Sequence, residues 1–130
     1  MRIVIDTNII ISALRKGGKA HSKTKKLLRD VYSGRYEVFV SVDIFEEYQE
    51  VLSRPHLKVN WFAQWRWLLW VKRNAAFIEP LPTSQEQVDM KDEDDRIFFD
   101  VAKCVKARLI TRNLRHYPID ELRTSIDEFY

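Results

Sequence analysis

Residues 1–8, Met1-Arg2-Ile3-Val4-Ile5-Asp6-Thr7-Asn8, decide how the rest of the sequence is read. Ile3, Val4 and Ile5 form an unbroken β-branched run without polar alternation, the pattern of a strand buried on both faces in a parallel sheet. The run stops at an aspartate. A carboxylate at the C-terminal end of such a strand sits where open α/β sheets place their chemistry. Thr7 and Asn8 follow, with side chains that can cap the next helix or orient that carboxylate. The plainer reading is that Asp6 only caps a helix.

Outward from this strand, elements alternate. The spacing predicts a short helix over Asn8–Arg15, broken at Gly17-Gly18, and a second over Ala20–Ser33 with Leu27, Leu28, Val31 and Tyr32 on one side. Gly34 ends it, and Glu37–Val40 reads as a second strand. Ser41 is a natural N-cap for a helix reaching about Ser53, where Pro55 stops it. A longer helix is expected over Asn60–Ala75, then a short strand at Phe77-Ile78 closed by Pro80 and Pro82. Pro80–Met90 is the one long connection. A helix over Asp94–Ala107, a strand over Arg108–Thr111 and one more short element in the tail complete the series. Strands alternating with helices imply right-handed crossovers and a parallel sheet covered on both faces. With 130 residues, 45% of them hydrophobic, the expectation is one α/β domain over residues 1–130.

Twenty-two Lys and Arg against nineteen Asp and Glu give a formal charge of +3, which permits a nucleic-acid partner without demanding one. Cys104 is the single cysteine, so no intramolecular disulfide can form, and it is expected to be a small apolar helix residue. The run Ile3–Ile5 is far too short for a signal segment, and no stretch approaches the roughly 18 apolar residues of a membrane span. The expected location is cytoplasmic, with no membrane partner.

Acidic residues fall where three successive elements would meet. In the third helix Ile44, Phe45, Tyr48, Val51 and Leu52 define an apolar stripe; Glu46 and Glu50 point away from it, while Glu47 lies on its edge, able to reach the rim of the sheet. Met90-Lys91-Asp92-Glu93-Asp94-Asp95 then gathers four acids at the start of a helix, more than a helix dipole calls for. Helical geometry allows either Asp94 or Asp95 to face inward, with Asp92 further round. Carboxylates crowded within about 4–6 Å repel and raise one another's pKa unless a cation compensates. Oxygen donors, with no His or Cys pair at chelating spacing, favour Mg²⁺ or Mn²⁺ over zinc.

Taken in order, four stretches resemble the PIN-domain family, and in particular its small prokaryotic VapC-like members, toxins of type II toxin–antitoxin pairs. They are Ile3-Val4-Ile5-Asp6-Thr7-Asn8, Glu47-Tyr48-Gln49-Glu50-Val51-Leu52-Ser53-Arg54-Pro55, Asp92-Glu93-Asp94-Asp95-Arg96, and Leu109-Ile110-Thr111-Arg112-Asn113-Leu114-Arg115-His116-Tyr117-Pro118. The resemblance implies a PIN-like three-layer α/β/α fold with a central parallel sheet of four or five strands. It implies a divalent-metal-dependent endoribonuclease with Asp6, Glu47 and Asp95 as catalytic metal ligands. It favours Asp95 over Asp94, because the family's acid precedes a helix alanine by seven residues, here Ala102. Where many relatives carry a fourth acid, this chain has Asn113 and His116. Asn113 can serve as a ligand through its carbonyl oxygen, and Asp92 as an outer carboxylate. Thr7, Asn8, Thr111, Arg112 and Arg115 are the residues expected to meet the substrate. The expected partners are an RNA, an antitoxin protein and a second copy of the chain. A haloacid-dehalogenase-like phosphatase also begins with an aspartate after its first strand, but it needs a second one two residues on, where Asn8 stands.

Two further surfaces stand out. Lys16, Lys19, Lys23, Lys25, Lys26 and Arg29 make the second helix and its approach basic, either to track RNA or simply as a solvated face. Trp61, Trp65, Trp67 and Trp70 fall within ten residues. Helical spacing puts Trp61 and Trp65 with Leu68 on one face, expected to be core. Trp67 and Trp70 lie on another, which would mark a dimer or antitoxin interface if exposed, while two buried faces within one domain would explain the four equally well.

Overall fold

The computed structural model describes residues 1–16, 21–118 and 122–130. The expected break at Gly17-Gly18, Lys19 and the expected helix start at Ala20 lie outside the described residues.

Five strands form one parallel sheet: β1 (Arg2–Ile5), β2 (Glu37–Val40), β3 (Ala76–Phe77), β4 (Arg108–Thr111) and β5 (Arg123–Ser125), in the order β3-β2-β1-β4-β5. β1, β2 and β4 each bury three residues in succession, as strands covered on both faces must. With helices flanking the sheet, the expected three-layer α/β/α architecture is present.

The helices are α1 (Thr7–Leu14), α2 (Ser22–Tyr32), α3 (Val42–Leu52), α4 (Trp61–Asn74), α5 (Arg96–Val105) and α6 (Ile126–Phe129). Their ends follow local chemistry. Ser41 Oγ accepts from the Ile44 amide at 3.1 Å to start α3, and Asn60 Oδ1 accepts from the Ala63 amide at 3.1 Å to start α4. All five residues of the α3 stripe are buried, with Glu46 and Glu50 exposed and Glu47 between these extremes. α5 starts two residues later than the expected Asp94. The Asp92 carboxylate accepts from the Asp94 amide at 3.0 Å and tightens Glu93–Asp95 into a 3₁₀ turn ahead of it. The tail holds more than one element: a 3₁₀ turn at Leu114–His116, then β5 and α6.

The long connection after β3 is held by side chains. Arg96, 6% exposed, pairs with Glu93 at 2.6 Å and donates to Thr83 Oγ1, Ser84 O, Gln85 Oε1 and Val88 O at 2.6–3.1 Å. Asp100 accepts from both the amide and the hydroxyl of Thr83, at 3.2 and 2.6 Å. Five donors on one planar guanidinium suit it to gather carbonyls from an irregular segment.

α4 overturns the expected assignment of its tryptophans. Trp67 is 0% exposed and stacks on Trp70 and against Tyr48, with ring centroids 5.7 Å apart in each case. Trp61 and Trp65 are 73% and 49% exposed. Apolar residues occupy both arcs of this helix, so periodicity cannot choose between them; the position of Tyr48 and Tyr32 against Trp67 does. Cys104, expected as an apolar helix residue, is exposed. On α2, Lys23 pairs with Asp127 at 3.1 Å, Lys25 donates to Ala13 O at 3.0 Å and Lys26 lies over the Tyr130 ring. Much of that basic face therefore serves the fold. No helix among the described residues is long and apolar enough to cross a membrane.

Candidate active site

From β1 the chain winds outward to β3 on one side, then returns to β4 on the other side of β1. The switch point lies between the C-terminal ends of β1 and β4, where helices diverge and leave a crevice. Asp6 ends β1 there. Its amide donates to Ile110 O at 3.0 Å, tying it to β4.

Asp6 stands at the N-cap position of α1, yet its side chain makes no capping hydrogen bond. Instead Oδ2 accepts from Thr111 Oγ1 at 2.7 Å and from Tyr117 Oη at 3.2 Å. The residue is 3% exposed, and burial raises its carboxyl above the usual range; these two hydroxyls and the nearby Asn8 and Thr7 amides pull the other way. Asp6 is therefore engaged by hydroxyls from β4 and the turn after it as well as standing at the start of α1.

A cavity of about 290 Å³ opens beside it, lined by Asp6, Thr7 and Asn8 from the β1–α1 turn, Glu47 and Arg54 from the α3 side, and Asp92, Asp94, Asp95 and His116. Glu47 and Asp95, expected at the edges of their helices, both reach this space. Glu47 is half-buried, and its carboxyl is raised first by burial and then by Asp94 and Glu50. Asp95 is pushed up to about 7, chiefly by burial, then by the charges of Asp6 and Asp92, with His116 opposing. His116 Nδ1 lies 3.1 Å from Asp95 Oδ2. The ligand atoms of Asp92, Asp95 and His116 all lie within 4.8 Å of one another; Asp6 and Glu47 line the same cavity outside that group. Asp94 is exposed at the rim.

Other expected site residues fall elsewhere. Thr111 was placed with the substrate contacts, but it is 0% exposed and its hydroxyl is committed to Asp6 and to the Asn113 amide, 3.0 Å away. Asn113, considered as a ligand, lines an adjoining groove of about 460 Å³ with Arg112, Arg115 and His116. Asn113, Arg112 and Arg115 are not among the residues lining the carboxylate cavity; His116 borders both spaces. Thr7 lines the cavity with its hydroxyl buried and without a protein partner, while Asn8 is exposed there.

The sequence assigns no role to Tyr117 and marks His116 only as standing where many relatives carry an acid. Only the fold of the 3₁₀ turn after β4 brings them to Asp95 and Asp6, so no local pattern marks them.

The donor set fits a hard divalent cation. Carboxylate oxygens predominate in a partly enclosed space, and Asp95 resists ionisation there, first because it is buried and then because Asp6 and Asp92 repel its charge. The family model for the PIN domain matches residues 2–115. No curated protein and no solved structure gives a significant match to the chain.

Proposed function

The chain belongs to the PIN-domain family, and on that premise we propose that it is a Mg²⁺- or Mn²⁺-dependent endoribonuclease, the toxin of a type II toxin–antitoxin pair, acting in the cytoplasm. PIN domains are generally nucleases, and the acidic cluster gives nuclease chemistry a place to occur. The observation that carries the reading is the convergence of Asp6, Glu47 and Asp95, from three separate elements, on one cavity at the switch point of the sheet.

In this reading Asp6, Glu47 and Asp95 hold the metal, with Asp92 and His116 beside Asp95. A divalent ion bound there would polarise a phosphoryl oxygen and lower the pKa of a water, as phosphodiester hydrolysis requires. The protein's own part is preparation. Thr111 and Tyr117 hold one oxygen of Asp6 in place at the wall of the cavity. His116 favours the ionised form of Asp95. Arg112 and Arg115, which line the adjoining groove, would receive phosphates of the RNA backbone. Thr7 and Asn8 would contact the strand at the cavity floor. An antitoxin and a second copy of the chain complete the expected partners.

The test is cleavage of single-stranded RNA by purified, contaminant-free protein across a Mn²⁺ titration. Asp6→Asn is expected to abolish cleavage while preserving the circular-dichroism spectrum; full activity in that variant would overturn the assignment. A second reading, an RNA- or antitoxin-binding module without catalysis, is favoured by Asn113 and His116 standing where relatives carry acids. RNA binding with no Mn²⁺-dependent cleavage would establish it, and an RNA-processing role would show as cleavage without growth arrest on expression. A short antitoxin-like reading frame beside the coding region, whose product relieves such arrest, would support the toxin role.

A further inference from the structure

We propose that the exposed face of α4's first turns is a stacking platform for single-stranded RNA, placed beside the carboxylate cavity; the inference rests on the ribonuclease reading above and adds a substrate subsite to it. Trp61, Phe62 and Trp65 are 73%, 58% and 49% exposed, and the Phe62 and Trp65 rings lie 5.9 Å apart. At about 100° per residue these three fall on one arc, opposite the buried Trp67 and Val71. Three large rings in contact with water are costly on a surface that binds nothing.

Charge identifies the occupant. From Val51 to Ile78 the sequence contains no acidic residue, in a chain with nineteen; its cations are Lys58 and Arg73, Arg66 and Lys72 lying over the Tyr32 and Phe45 rings, and Arg54, which pairs with Glu50 at 2.7 Å. Aromatic rings interleaved with cations and free of carboxylates are what sequence-tolerant binding of a single strand requires, bases stacking on the rings and phosphates meeting the cations.

The platform also continues from the site. Arg54 and Leu57 line the carboxylate cavity, and Trp61 follows Leu57 by four residues, so their backbones lie at most about 14 Å apart. A strand with its scissile phosphate at Asp6 and Asp95 would thus meet Trp61, Phe62 and Trp65 within a short span. Paired RNA keeps its bases inside the helix and would not engage the rings, so the platform selects unpaired substrate.

The test measures binding without catalysis: fluorescence anisotropy of a labelled oligouridylate of about ten nucleotides, with the full chain in chelator, across a salt series. The paired substitution Trp61→Ala/Trp65→Ala is expected to weaken binding by about tenfold or more at every salt concentration, with the slope of log K against log salt unchanged. Trp61→Phe/Trp65→Phe should restore most of the affinity, because stacking needs a ring rather than an indole. Lys58→Asn, which tolerates the left-handed backbone of that position (φ 53°), should instead reduce the slope by about one. Unchanged affinity in the alanine pair overturns the platform. Unchanged RNA affinity together with a lower mass in sedimentation assigns the face to a second copy of the chain, which also overturns it. Loss of binding in the alanine pair, with no Mn²⁺-dependent cleavage by the unaltered chain, supports the platform and refutes the nuclease reading alone. Cleavage with unaltered binding refutes the platform alone.

Discussion

His116 Nδ1 lies 3.1 Å from Asp95 Oδ2, joining the turn after β4 to the acidic segment before α5 across 21 residues of sequence. The contact opposes the burial and like charge that hold Asp95 up at about 7. His116→Ala should therefore move the Asp95 titration to higher pH, since a contact favouring the carboxylate is lost. Residues that support a metal ligand typically alter affinity by about tenfold or more. Mn²⁺ titration by calorimetry between pH 6 and 8 should show affinity reduced most at the acid end. A pH dependence identical to that of the unaltered chain would remove His116 from the site.

Stability without metal should carry the same signature. Burial and the charges of Asp6 and Asp92 push Asp95 from its ordinary 3.8 up to about 7, so the folded chain binds the extra proton between these values. Its contribution to stability is full below pH about 4 and is lost as pH rises through about 7. Urea denaturation in chelator should show stability falling over this range. Asp95→Asn should remove much of the slope and leave the protein more stable than the unaltered chain at pH 8, a common consequence of relieving crowded charge.

Asp6 is held by two hydroxyls, and their removal should be felt unequally. Thr111 is fully buried with its hydroxyl 2.7 Å from Asp6, so Thr111→Val should cost about 2 kcal/mol; Tyr117→Phe, with the longer contact of 3.2 Å, should cost about 1 kcal/mol. Both should lower cleavage by loosening Asp6. Equal stability of all three proteins in urea would mean the hydroxyls do not bear on the carboxylate.

Arg96 anchors the connection between β3 and α5 through Thr83, Ser84, Gln85 and Val88. Arg96→Met leaves those acceptors without their donor and should cost about 3 kcal/mol. Arg96→Lys should recover little, since an ammonium cannot reach the same spread of partners. Limited proteolysis should report new cleavage between Pro82 and Asp89 in both variants.

The tryptophans of α4 differ in weight. Trp67→Ala should destabilise by about 3–5 kcal/mol through the space left against Tyr48 and Trp70, whereas Trp61→Ala should stay within about 0.5 kcal/mol. Chemical denaturation distinguishes them directly.

Much of the fold was already legible in the chain. Uninterrupted apolar runs at Ile3–Ile5 and Val38–Val40 mark buried parallel strands, and Ser41 and Asn60 mark helix starts, because these signals depend on neighbours close in sequence. The same holds for Glu47, whose place on the edge of a stripe is a matter of helical angle alone. Asp6 could be singled out for a similar reason, as an acid at the end of an apolar strand, whereas helical angle left Asp94 and Asp95 both open and only the family resemblance favoured Asp95.

Other features depend on which elements meet. Whether α4 buries Trp67 or Trp65 is settled by the position of Tyr48 and Tyr32, since both arcs of the helix are apolar. Thr111, Tyr117 and His116 acquire their roles only when β4 lies beside β1 and the following turn folds back over Asp6 and Asp95. Local periodicity reports the face a residue occupies on its own element; hydrogen-bond partners more than a hundred residues away, and the burial that shifts a carboxyl's proton affinity, exist only once the sheet has assembled.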